Sequence, residues 1–183
     1  MKTFLAAALT LAAFLAIAPR VAFSQNATPP TDATDVTAAE QQKVAAAQKG
    51  NRYDSVVKVV DIGKYNVAVA LTHHESPTPN ASTHSGITEL YIVTSGSGTL
   101  TTGGTIPGAK PGGANPLPTG PGTGGPAIVG GTSRHMGPGD IAIIPPNVPH
   151  AWTEVNPPLN VLVVRADAEH VLPSGYVNPA LKQ

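Results

Sequence analysis

The sequence predicts an all-β domain, a sandwich or barrel, preceded by one short helix. Three observations carry that expectation. Segments rich in β-branched residues with a period of two recur through "SVVKVVDIG", "KYNVAVALTHH", "TELYIVTSGSGTLTTGG", "GDIAIIPPNVPHAWTEV" and "LNVLVVRADA". They are separated by Gly, Pro and Asn turns, the punctuation of closely spaced strands. Good helix formers gather in one place, "TAAEQQKVAAAQKG", and 183 residues suffice for a single core of ordinary size.

The elements follow in chain order. Residues 1–24 have Lys2, an apolar run from Phe4 to Ala18 and the small-residue ending Ala22-Phe23-Ser24. The run is shorter than the ~20 residues of a membrane span, so it reads as a secretory signal peptide cut after Ser24. The mature protein is then expected in the periplasm or secreted, with no membrane attachment after cleavage. Cleavage removes Lys2 and Arg20 and no acids, leaving nine bases against eleven acids. That balance excludes the basic footprint of a nucleic-acid binder. There is no cysteine, hence neither a disulfide nor a lipidated cysteine, and stability must come from a core or a bound metal.

Residues 25–36, a mixture of Asn, Thr, Pro and Asp, form a flexible leader. Thr37 with Glu40 makes a capping box for a helix over 37–50, stopped at Gly50. The β domain spans 51–172. Within it, residues 103–131 are mostly Gly, Pro, Ala and Thr, which cannot sustain a ladder for long, and read as an insertion loop, with Ala127 to Val129 a strand fragment. Residues 173–183 form a weakly patterned tail, where Pro173 and Pro179 oppose a continued helix.

Six histidines occur, and two constellations involve them. In the first, His84 precedes Glu89 by five residues, which on one straight strand would put the two on opposite faces. Ser85-Gly86 supplies a bend, so His84 ends one strand, Glu89 begins the next, and both point inward. Tyr91 and Val93 then share the inward face of Glu89. In the second, Gly139, Pro145, Asn147 and His150 frame a buried strand "IAII" and a rigid turn that delivers His150 onto the next strand. Two imidazoles and a carboxylate from different strands match the 2-His-1-carboxylate set that binds a divalent first-row metal and leaves positions open.

The two segments resemble the motifs of the cupin superfamily, G(x)5HxH(x)3-4E(x)6G and G(x)5PxG(x)2H(x)3N. His84, Glu89 and Gly96 match the later part of the first; Gly139, Pro145 and His150 match the second. The resemblance covers roughly Val56 to Ala168. It implies a double-stranded β-helix, that is, a jelly-roll barrel, with His84, Glu89 and His150 as ligands of a divalent cation (iron, manganese, zinc or nickel). It also makes a small-molecule ligand and a homodimer expectations. The departures are specific: Ser82 stands where the first histidine of HxH would be, the glycine that opens the first motif is missing, Asn147 replaces the glycine of PxG, and Glu154 falls where the last Asn is expected. Asn147 is a mild change, because Asn tolerates the left-handed backbone that glycine supplies.

His73 or His74 could replace the ligand lost at Ser82. Only one of two adjacent strand residues faces inward. His73 shares a face with Val67, Val69 and Leu71, the better core lining, so His73 is favoured inward. His135 reads as a loop residue, and His170 has no partner in sequence. Tyr91, Trp152 and Arg165 are candidates to line a pocket. Trp152 shares the inward face of His150, and Arg165, costly to bury alone, is expected to turn its guanidinium outward rather than bind an anion inside. The functional expectation is an exported protein that binds a divalent metal and acts on, or binds, a small acid or sugar-like molecule. The alternative is a non-catalytic ligand-binding or structural barrel with a degenerate, metal-free site.

Overall fold

In the computed structural model, residues 29–112 and 117–182 are described; residues 1–24, read above as a signal peptide, lie outside them. Helix α1, Ala38–Ala46, starts at a complete capping box. The Thr37 hydroxyl accepts from the Glu40 amide at 3.2 Å, and the Glu40 carboxylate accepts from the Thr37 amide at 3.0 Å. The same Glu40 pairs with Lys58 at 2.7 Å, and Val44 is fully buried. The helix is thereby fixed to the strand that follows. None of the helices among the described residues is long and apolar enough to cross a membrane.

Strand β1, Arg52–Asp61, pairs antiparallel with β2, Asn66–His74. Next come β3, Ala81–His84, and the long β4, Ile87–Thr102. The chain continues through β5, Lys110–Pro111; β6, Gly122–Gly125; β7, Thr132–Met136; β8, Ile141–Ile144; and the long β9, His150–Asp167. β9 pairs with β2 through its C-terminal half and meets β3 at Ser82–His150. β4 runs along the whole of β9, from Ile87–Asp167 to Thr102–His150, and its other edge carries β8 and β7.

The two long strands bend together where their register shifts, between Val93 and Leu100. Gly96 sits there at φ +70°, and a Cβ on it would fall 2.2 Å from the Pro158 carbonyl oxygen. Only glycine allows that approach. The inward faces supply the core: Ile87, Val93, Leu100, Leu159, Val161 and Val163, with Ala68 and Ala70 from β2. This is the all-β, antiparallel barrel with a single leading α-helix that the two motifs imply.

Three local expectations change. Residues 103–131 contain real pairing: β6 ladders onto β3, β5 onto β6, and Thr105 bridges Val129. The glycines of β6 serve close approach, since a Cβ on Gly122 would lie 1.9 Å from the Thr83 carbonyl oxygen. Leu117 packs against the core from the same segment. His135 belongs to strand β7, opposite Thr99 on β4. In the tail, Pro179–Lys182 forms a short 3-10 helix, a use of Pro at the first helical turn that is compatible with its missing N–H. Asn178 just before it is buried and donates to the Val56 carbonyl at 2.7 Å.

Candidate metal centre and cavity

His84 is the last residue of β3, and Glu89 is the third of β4, with Gly86 between them at φ +81°. The left-handed glycine makes the bend that brings both side chains to one side. The turn after β8 is held against this corner. Asn147, at φ +63°, donates its backbone N–H to the His84 carbonyl at 2.8 Å. His150 then opens β9, directly opposite Ser82.

His150 Nδ1 lies 3.0 Å from the Val148 carbonyl oxygen. A carbonyl can only accept, so Nδ1 carries a proton, and in the neutral ring it is Nε2 that bears the lone pair. That lone pair is 3.3 Å from Glu89 Oε2, and His84 Nε2 is 3.7 Å from the same oxygen. One ligand atom from each of His84, Glu89 and His150 lies within 4.8 Å of the others. Burial, set partly against the attraction of Glu89, lowers the His84 pKa to about 4. The imidazole is therefore neutral at pH 7. Two imidazoles and a carboxylate face one another, a donor set that fits a divalent cation.

Arg165 corrects the outward expectation, for it is fully buried. Its Nε donates to Glu89 Oε1 at 2.9 Å, Nη2 to Asp54 Oδ2 at 2.5 Å, and Nη1 to the Pro118 carbonyl at 3.2 Å. Arg165 is the register partner of Glu89 across β4 and β9. Desolvation is offset by two carboxylates, one of them from β1, far away in sequence. Burial pushes the Glu89 carboxyl up, but Arg165 and the two histidines outweigh it and hold the group below its ordinary value. With Arg165 on Oε1, it is Oε2 that Glu89 turns toward the imidazoles.

The inward histidine of β2 is His74, not His73. His74 is buried, along with Ala68, Ala70 and Thr72 on the same face. His73 faces outward, stacked on Tyr53 at 5.3 Å, with Nδ1 2.7 Å from Asn160 Oδ1 and Nε2 3.0 Å from Glu75. Small Ala68 and Ala70 share one core cluster with bulky Trp152 and Leu159. Val67, Val69 and Leu71 lie outside, beside the N-terminal segment and α1. His74 is not a member of the three-residue group, nor is His73. His170, which lacks a partner in sequence, lies 3.7 Å from Asp61.

A cavity of about 510 Å³ opens onto His84 and His150, and Ser82, His74, Tyr91 and Trp152 also border it. Tyr91 and Trp152 are stacked, with ring centroids 6.3 Å apart and planes 15° from parallel. Asp54 and Thr72, which the sequence reading passed over, line the same space. Asp54 was open to detection: it precedes Val56 by two residues at the start of β1, so strand alternation puts it on the face of a buried valine.

No family model matches the sequence, and no curated protein matches it. Among solved structures, the chain is similar to BH2720 from Bacillus halodurans, with TM-score 0.46 and 15% identity over 83% of this chain and 93% of the other. It is also similar to oxalate decarboxylase from Bacillus subtilis, with TM-score 0.46 and 15% identity over 71% of this chain and 28% of that one. A third likeness is to the DMSP lyase DddQ from Ruegeria pomeroyi, with TM-score 0.43 and 17% identity over 73% and 60%. These are cupin-fold proteins. The aligned region spans less than a third of the decarboxylase chain.

Proposed function

We propose that the protein holds a divalent first-row metal on His84, Glu89 and His150 and binds, or acts on, a small acid or sugar-like molecule in the adjoining cavity. The observation that carries this reading is the convergence of His84 Nε2, His150 Nε2 and Glu89 Oε2 on one point. Nδ1 of His150 is engaged by the Val148 carbonyl, so in the neutral ring its near nitrogen offers an electron pair toward an oxygen that also offers one. A cation between them removes the conflict. When bound, the metal would supply Lewis-acid polarisation of a ligand oxygen. The chain's own residues fix the imidazole tautomer, hold the carboxylate through Arg165, and keep the donors in a largely buried corner. Residues 1–24 support the further reading that the protein is exported, to the periplasm or beyond.

The test is metal content. Untagged mature protein is loaded with iron, manganese, zinc or nickel, dialysed and analysed, beside a His84→Ala/His150→Ala double variant and Glu89→Gln. Stoichiometric metal in the parent alone supports the reading. Equal metal in the double variant, or none in the parent, rejects it. One observation favours a metal-free barrel instead: Arg165 already neutralises Glu89. An empty parent that stays fully folded is the result that reading requires.

A further inference from the structure

On the inward face of the first half of β4, Ile87, Glu89, Tyr91 and Val93 follow one another, all buried. Ile87 and Val93 are aliphatic core, and Glu89 is the carboxylate of the candidate metal centre. Tyr91 is the residue that neither role explains. A phenylalanine would fill the same space, stack on Trp152 and leave no polar atom to satisfy, whereas a buried phenol needs a hydrogen-bond partner. That partner is Glu89. The Tyr91 hydroxyl donates to Glu89 Oε2 over 3.4 Å, and the same oxygen lies 3.3 Å from His150 Nε2 and 3.7 Å from His84 Nε2. The Tyr91 ring also stands edge-on to His150, with centroids 6.0 Å apart and planes at 86°.

We infer that Tyr91 is a positioning residue of the metal centre, its hydroxyl fixing the direction in which Glu89 presents Oε2. The last torsion of a glutamate is soft. Arg165 reaches Oε1 through Nε alone, at 2.9 Å, and a contact at one oxygen does not by itself fix the plane of the group. The Tyr91 hydroxyl, on the other oxygen, does. Glu89 is thereby gripped from β9 by the guanidinium and from two residues along its own strand by the phenol. His150 is held comparably, with Nδ1 on the Val148 carbonyl.

A phenol keeps its proton at pH 7 and a carboxyl oxygen accepts, so the contact does not depend on the charge of either imidazole. Losing such an outer partner typically costs about 10–100-fold in metal affinity. At 3.4 Å the bond is longer than the ~2.7–2.8 Å usual between two oxygens, so the lower end of that range is the expected effect. The inference rests on the metal reading above.

The test is zinc affinity, by competition with a chelating dye, together with the visible spectrum of the cobalt(II) form. Tyr91→Phe keeps the ring and removes only the hydroxyl. It should bind zinc about tenfold more weakly than the parent and shift the cobalt bands, because the carboxylate donor turns. Val93→Ala, at the next inward residue of β4, is the packing control. It should lose stability, yet match parental zinc affinity within about twofold and keep the cobalt spectrum. In a Glu89→Ala background, Tyr91→Phe should change zinc affinity by less than about twofold, since the hydroxyl acts through that carboxylate. If Tyr91→Phe fails to fold, Tyr91→Leu, which also lacks the hydroxyl, takes its place. A hydroxyl-free variant with parental affinity and spectrum, equal losses in it and in Val93→Ala, or the full loss persisting without Glu89, overturns this inference alone. A parent that takes up neither zinc nor cobalt overturns it together with the metal reading.

Discussion

Arg165 is the residue whose removal is most informative. Arg165→Met keeps a similar volume and deletes the guanidinium that bridges Glu89 at 2.9 Å and Asp54 at 2.5 Å. Arg165 and Glu89 are 0% and 1% exposed, whereas the Asp54 side chain is 28% exposed. Breaking the buried Glu89 pair costs about 3–5 kcal/mol, because an uncompensated carboxylate remains. The Asp54 pair is partly screened by solvent and adds at most about 1 kcal/mol. A total of about 4 kcal/mol lowers the melting temperature by roughly 8–16 °C for a chain of this size. The assay is urea and thermal unfolding of metal-free protein at pH 7. Glu89→Gln in the Arg165→Met background should recover most of the loss, since it removes the stranded charge. So should lowering the pH, because Glu89, no longer held down by arginine, protonates readily. A loss below about 1 kcal/mol, or one that Glu89→Gln does not relieve, would refute the view that this arginine is the counter-charge of the site.

The pH dependence of stability should carry a signature of His74. Burial, with Arg52 and His73 adding to it, lowers its folded pKa to about 4 from an ordinary 6.5. Between those values the unfolded chain binds more protons, so stability is complete above about pH 6.5 and is lost as the pH falls toward 4. His74→Gln should flatten that slope by up to about 1.4 kcal/mol per pH unit, measured by urea unfolding of metal-free protein; an unchanged slope would mean that His74 is not buried and neutral. Gly122→Ala should push β6 away from β3, since its Cβ would lie 1.9 Å from the Thr83 carbonyl oxygen. We expect a loss of about 1–3 kcal/mol and weaker metal binding through the displaced His84. Gly124→Ala, whose nearest neighbour would be the Ala81 carbonyl oxygen at 3.4 Å, is the control. Equal behaviour of the two variants would contradict the close-approach role of Gly122.

What was legible in the sequence depended on the range of the interaction. The capping box of α1, the bend at Gly86 and the left-handed Asn147 are local, and local chemistry announces them. The inward set Glu89, Tyr91 and Val93 follows from alternation on one strand. Arg165 could not be placed this way, because the carboxylates that make its burial tolerable lie 76 and 111 residues away. The same limit governed His73 and His74. Judged by its own strand, the Val/Leu face looks like core; in the fold it is small Ala68 and Ala70 that join the core, together with larger residues from the other strands. Likewise, the glycines of 122–125 read as loop until the strand they touch is known.

Ser82 can now be weighed within this geometry. It lies two residues before His84 on the same half-buried face of β3 and opposite His150, so a side chain at 82 borders the cavity beside the two imidazoles. A serine hydroxyl is a weaker metal donor than an imidazole, and the Arg165 contact commits one Glu89 oxygen. The chain therefore offers three strong donors, and a divalent ion held by three leaves more of its coordination to exogenous ligands than one held by four. Affinity for metal and affinity for a cavity ligand then become linked, each strengthening the other by the same factor.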